Sequence, residues 1–177
     1  MKSLKSINPW LWVPTLYFLE GIPYFLVNNI SMVMFNQMGV PNGEMSFFTT
    51  LLYFPWALKF LWAPFVDLIK TKRWWFITMQ FLMLGLAVLT IFSIPQPSPE
   101  VIAAMGTEVK LFTGVLIAFI IMAFASATHD IAADGFYMLA LDQGTQSLFV
   151  GIRSTFYRLS SIFGQGVLVV IAGILEQ

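Results

Sequence analysis

The chain has 177 residues, 58% of them hydrophobic and only 10% charged, with zero formal net charge and a mean hydropathy of +0.80. Soluble domains carry about 25% charged residues, so this composition cannot furnish a water-facing surface. It also offers no basic field for nucleic acid, and the absence of cysteine excludes disulfides and thiolate chemistry.

Repeated apolar runs, each long enough to cross a bilayer, predict an all-α integral membrane protein with about five transmembrane helices. The first helix covers about 10–35, with Pro9 suited to its first turn. Its basic start resembles a leader peptide, but the apolar stretch is too long and runs into Asn28 and Asn29 instead of a small-residue cleavage site. After the polar break NQMGVPNGE, the second helix covers about 45–67, with Pro55 and Pro64 predicting a bend. The turn DLIKTKR leads to a third helix at about 74–94. The Pro-rich stretch PQPSPEVIAAMGTEVK precedes a fourth at about 111–141, longer than a bilayer requires. DQGTQS introduces the fifth, about 148–175. An odd number of spans, ending on a helix at Gln177, is expected of a piece (1–177) of a larger protein.

Lysines and arginines fix the orientation. Lys2, Lys5, Lys70, Lys72, Arg73 and Arg153 gather on one side, whereas the opposite loops hold Lys110 with Glu44, Glu100 and Glu108. The positive-inside rule puts the N-terminus in the cytoplasm of a multi-pass protein.

Charged groups at membrane depth are costly and mark internal sites. Glu20, in FLEGIPYFLVNNI, lies roughly 15 Å along the first helix, near the midplane. Pro23 weakens the helix beside it, and Asn28 and Asn29 follow. This group suits a substrate or proton site; the plainer alternative is a structural pair with a cation on a neighbouring helix. Lys59 can snorkel to the cytoplasmic interface or face a carboxylate or an anionic solute. Asp67 with Lys70, Lys72 and Arg73 suits an ion-pair latch between transport states, or simply a solvated turn.

Asp130 and Asp134, in ASATHDIAADGFYMLALD, share a helix face, with Tyr137 one turn on. His129 projects about 100° away, so the three do not converge on a metal from this helix alone. Depth places both aspartates near the cytoplasmic mouth, where Arg153 and Arg158 of the fifth helix are the expected partners in a gating network. Two other readings use the same residues. A membrane-embedded transferase would hold a divalent metal on Asp130 and Asp134, although no second acidic pair follows. A non-transporting structural membrane protein would use the charges only to join helices.

These stretches resemble the major facilitator superfamily, in particular the AmpG-like muropeptide permease branch grouped with acetyl-CoA transporters. The resemblance rests on EGIP at 20–23, LKFLWAPFVD at 58–67 with basic residues after it, AFASATHDIAADGF at 123–136, and FYRLSSIFGQG at 156–166. It covers essentially the whole chain. It implies two six-helix halves working by alternating access, with a sixth helix and a C-terminal half beyond this sequence. It also implies proton-coupled import of peptidoglycan-derived muropeptides, or a related amphiphilic solute, across the inner membrane. Lys59, Asp67, Asp130, Asp134 and Arg158 match family positions. Glu20 stands where a small residue is expected, His129 where a glutamine is, Leu68 where an arginine is, and Tyr137-Met138-Leu139 where a charged run is. The partners implied are the lipid bilayer, a small-molecule solute and protons, with no metal, cofactor or nucleic acid and no enzymatic activity.

Overall fold

A computed structural model describes residues 8–37, 40–93 and 109–167, and all the regular structure there is helical. Lys2 and Lys5, Glu100 and Glu108, and the end of the fifth predicted helix lie outside these residues.

Helix α1 (Pro9–Phe25) begins at Asn8, whose side-chain oxygen accepts from the Trp10 amide at 3.0 Å, with Pro9 in the first turn. Pro23 cannot donate to the carbonyl four residues back, and the ladder widens into a π-turn at Leu26–Ile30 before α2 (Ser31–Gln37). Side chains tie up the loosened carbonyls: Asn28 donates to Tyr24 O at 2.9 Å, and the Ser31 hydroxyl donates to Val27 O.

Helix α3 (Asn42–Leu58) tightens into a 3₁₀ turn at Lys59–Leu61, followed by α4 (Ala63–Leu68). Pro64 lacks the N–H that would bond Phe60, which gives the bend the paired prolines predict a physical cause. The extended Ile69 and left-handed Lys70 (φ 63°) then turn the chain sharply into α5 (Lys72–Ser93).

Helix α6 (Val109–Ala140) is the central post, packed against α1, α3, α4 and most extensively α5. Its 32 residues extend about 48 Å, well beyond a hydrocarbon core of about 30 Å. Buried Ala118, Ala123, Ala125, Ala127, Ala132 and Ala133 allow close approach by its neighbours. After the turn at Asp142, α7 (Gln143–Ile162) runs back along α1 and ends in a second π-turn, Phe163–Val167.

Two apolar clusters fill the interior. One joins Val27, Phe35, Leu52, Trp56, Phe119 and Met122; the other joins Val13, Leu16, Tyr17, Ala133, Tyr137 and Phe149. Along α1 the gap between them falls at Glu20, and along α6 it falls at Asp130. The outer faces carry Leu11, Phe60, Phe65, Leu68 and Phe81, all exposed. Such surfaces suit lipid, not water.

The protein is thus an all-α membrane protein. Among the described residues, Pro9–Asn36, Lys72–Thr90 and Gly114–Ala140 are long and apolar enough to cross a bilayer. The second predicted span is interrupted at Lys59, and the fifth begins with the polar turns of α7.

Candidate functional site

Seven of the polar groups that build the site lie on three helix faces with helical spacing. Tyr17 and Glu20 are three apart on α1, Asp130 and Asp134 four apart on α6 with Tyr137 three further, and Arg153 and Tyr157 four apart on α7. Side chains at these intervals stack on one side of a helix, so bringing the three helices together aligns the rows.

One end of the aligned rows is tightly bonded. Arg153 Nη2 donates to Asp134 Oδ1 at 2.5 Å, and the Tyr17 hydroxyl donates to the same oxygen at 2.9 Å. The guanidinium also lies over two aromatic rings, 4.2 Å from the Tyr17 centroid and 4.4 Å from that of Tyr137. Those rings meet edge to face at 5.7 Å and 85°. Cation–π attraction is strongest where water is excluded, so the arginine is held by charge and by ring faces together. Tyr137 then donates to the Gln146 carbonyl at 2.6 Å, fastening α6 to the first turn of α7. Nothing in a tyrosine's sequence context announced this clamp. The only signal was the spacing of Tyr137 after Asp134 and of Tyr17 before Glu20.

One turn deeper the arrangement is looser. Asp130 is only 5% exposed; its Oδ2 lies 3.7 Å from Lys59 Nζ, while Oδ1 has no hydrogen-bond partner among the described residues. The Trp56 indole lies close to this carboxylate without bonding it in hydrogen-bond geometry. Lys59 begins the 3₁₀ turn, and its half-buried side chain brings the ammonium to Asp130.

Glu20 is 6% exposed, its Oε2 has no partner, and it pairs with no cation among the described residues. The charges acting on it are Asp130 and Asp134 from α6, Lys59 from the second segment and Arg153 from α7. It sits between two ion pairs and belongs to neither. Beside it, Gly21 lets α7 approach α1 closely: a Cβ there would overlap Ser160 Oγ and come within 3.2 Å of Tyr157 O. A cavity of about 410 Å³ opens along this seam, and Tyr17, Glu20, Arg153, Ser154, Tyr157 and Arg158 are among its lining residues.

Several expected partnerships are rearranged. Arg158 makes no ion pair among the described residues and faces the cavity. Five residues past Arg153, it lies about 140° around the helix, so the two arginines cannot both face α6. Asp130 takes Lys59 instead. Asp67 pairs with Lys72, one of the three basic residues expected beside it, and Arg73 is not part of that pair. The Lys72 stem crosses Gly135 of α6, where a Cβ would come within 2.7 Å of Lys72 Cε. Arg73 lines a separate, mainly apolar groove of about 420 Å³ with Trp12 and Phe76. Asn28 is engaged by the backbone of α1, and Asn29 stays half-buried in the π-turn. His129 is fully buried and faces α5, its ring 4.4 Å from Phe76, with neither nitrogen bonded. It is turned away from Asp130, and each aspartate faces a cation, which removes the geometric support for a metal held between them.

Comparison with known proteins shows the family. The family model described as acetyl-coenzyme A transporter 1 matches residues 10–155, which hold Glu20, Lys59, Asp130, Asp134 and Arg153. The chain belongs to this family. Among curated relatives, an uncharacterized protein of Haemophilus influenzae is 24% identical over 163 residues, 89% of this chain and 35% of the relative. Proteins named "Putative transporter AmpG 4" from Rickettsia felis and Rickettsia conorii are each 26% identical over 159 residues, 85% of this chain and 35% of the relative. The chain therefore spans 35% of the length of these relatives. No solved structure matches it. Membership of a transporter family agrees with the resemblance to AmpG-like and acetyl-CoA transporters, and it favours a carrier over an enzyme. Arg158 lies just past the matched stretch.

Proposed function

We propose that this chain supplies five membrane spans, N-terminus in the cytoplasm, to the N-terminal half of a secondary active transporter in the inner membrane. A sixth helix and a C-terminal half complete it. The solute is a peptidoglycan-derived muropeptide or a related amphiphile, imported with protons by alternating access. The observation that carries this reading is Glu20, a buried carboxyl with an unpartnered oxygen between two ion pairs. It is the one acidic group of the cluster that can gain or lose a proton without breaking a salt bridge. The Asp134–Arg153 and Asp67–Lys72 pairs then serve as cytoplasmic gate contacts that break and re-form as the carrier alternates. Lys59 answers the charge on Asp130 and lies within reach of Glu20's field.

Uptake of a labelled muropeptide by proteoliposomes holding the full-length protein, driven by an imposed pH gradient, provides the test. Glu20→Gln should abolish gradient-driven accumulation while leaving solute exchange across the membrane intact. Accumulation that still follows the gradient in the variant removes Glu20 from coupling.

A further inference from the structure

The cavity between α1 and α7 contains one cation and one carboxyl that the fold leaves uncommitted. Arg153 is occupied by Asp134, Tyr17 and Tyr137, and Asp130 and Asp134 each face a cation. Arg158 and Glu20 both line this cavity, yet they form no ion pair with each other or with any other described residue. Glu20 Oε2 is buried without a partner at this cavity. The Tyr157 ring, also in the lining, is held by Tyr24 and Phe25 at centroid distances of 6.2 Å and 5.7 Å, giving the cavity a positioned aromatic face.

We propose that this cavity binds the oxyanion of the solute, a carboxylate or a phosphate, on Arg158, together with a proton on Glu20. The inference rests on the transporter reading and adds to it the charge class of the solute and the place where proton and solute meet. A free guanidinium fork suits a two-oxygen anion and can bond both oxygens at once. An ionised Glu20 in the same cavity would repel that anion, whereas a protonated Glu20 can donate a hydrogen bond to it. Anion and proton therefore favour each other, and by thermodynamic reciprocity each raises the affinity of the other by the same factor. The remaining charges facing Glu20, namely Asp130 with Lys59 and Asp134 with Arg153, stand in two pairs that need not change for this to occur. A singly charged anion and a proton bound together carry no net charge through the membrane.

The test is equilibrium binding to the full-length protein in detergent, in mildly acidic and mildly alkaline buffer. The probes are N-acetyl-alanyl-alanine, its C-terminal amide and glycerol phosphate. The free carboxylate or the phosphate ester should bind, and which of them does identifies the oxyanion; the neutral amide should not bind. Anion affinity should fall by roughly tenfold or more from acidic to alkaline buffer, the scale of one close like-charge contact. Arg158→Gln should weaken the anion by about tenfold, and Arg158→Lys should restore part of it. Glu20→Gln, fixed in a neutral form, should bind in alkaline buffer as well as in acid. That gain of binding cannot come from misfolding. Failure of both oxyanions to bind, equal binding of the amide, indifference to Arg158→Gln, or persistent pH dependence in Glu20→Gln would each overturn the proposal. Solute uptake in proteoliposomes judges the transporter reading separately, because a carrier whose anion site lies elsewhere still transports.

Discussion

Asp130 and Asp134 stand one turn apart on the same helix and meet their cations in different ways. Asp134 receives two short bonds, and its arginine is clamped between aromatic rings contributed by α1 and α6. Asp130 is the more deeply buried, yet its lysine stands off at 3.7 Å and one of its oxygens has no partner. Burial raises the cost of any charge and is offset only where geometry and hydrogen bonds are complete. The complete node lies in the apolar cluster of Tyr17, Tyr137 and Phe149, and the incomplete one at the gap between the two clusters, opposite Glu20. A fastening and a switch make opposite demands, and one helix face meets both because its two carboxylates receive different neighbours. The rigid end ties α1, α6 and α7 together. The loose end keeps a lysine free to respond when the charge on Glu20 or a bound solute changes.

If this division holds, the largest loss of stability comes from removing the clamped cation. Arg153→Ala leaves Asp134 and two tyrosine faces without it and should destabilise the protein by about 2–3 kcal/mol, read as a lower thermal midpoint in detergent. Tyr17→Phe keeps the ring beneath the guanidinium and removes one bond to a carboxylate, so it should cost less, about 1.5 kcal/mol. Lys59→Met should cost less still, about 1 kcal/mol, since the pair it breaks is long and the buried Asp130 carboxyl, left without its cation, can take up a proton and stay neutral. Its uptake rate should nevertheless fall strongly. Should Lys59→Met destabilise as much as Arg153→Ala, the two aspartates serve the same structural purpose and the distinction between them is lost.

How much of this could be read from the sequence follows from what determines each feature. Pro23, Pro55 and Pro64 act on the backbone locally, so a weakened first helix and a bent second one were legible residue by residue. Helical spacing likewise put Asp130 and Asp134 on one face and turned His129 away, and His129 indeed meets Phe76. Partner choice was not legible in the same way. Whether Asp130 meets Arg158 or Lys59 depends on the rotation of α7 and on where the 3₁₀ turn aims Lys59, and both are tertiary facts. Sequence proximity presents Arg153 and Arg158 alike, whereas a separation of about 140° around the helix keeps them from facing one neighbour together. Tyr17 carries no such signal, because an aromatic residue in an apolar run has the pattern of core, and only the arginine against its face sets it apart.

The smallest effect expected lies at the turn that starts α7. Asp142 is fully exposed and accepts from the Thr145 amide at 3.1 Å and from the Thr145 hydroxyl at 2.7 Å. These bonds favour the ionised carboxylate and hold its pKa below the ordinary aspartate value of 3.8. A depressed acid stabilises the fold above its ordinary value, and that contribution fades as the pH drops through the lowered one. At neutral pH, Asp142→Ala should speed hydrogen exchange at the Thr145 and Gln146 amides, whereas Asp142→Asn, which keeps an acceptor, should restore most of the protection. In strong acid the unsubstituted protein should approach the alanine variant. The change should stop at that turn, because Gln146 is also fastened to α6 by its side-chain amide, which donates to Met138 O at 3.1 Å, and by the Tyr137 hydroxyl, which donates to its carbonyl. Exchange spreading from Thr145 to the amides around Asp134 would mean that the arginine clamp depends on the cap. The rigid end of the site would then be only as firm as its most exposed carboxylate.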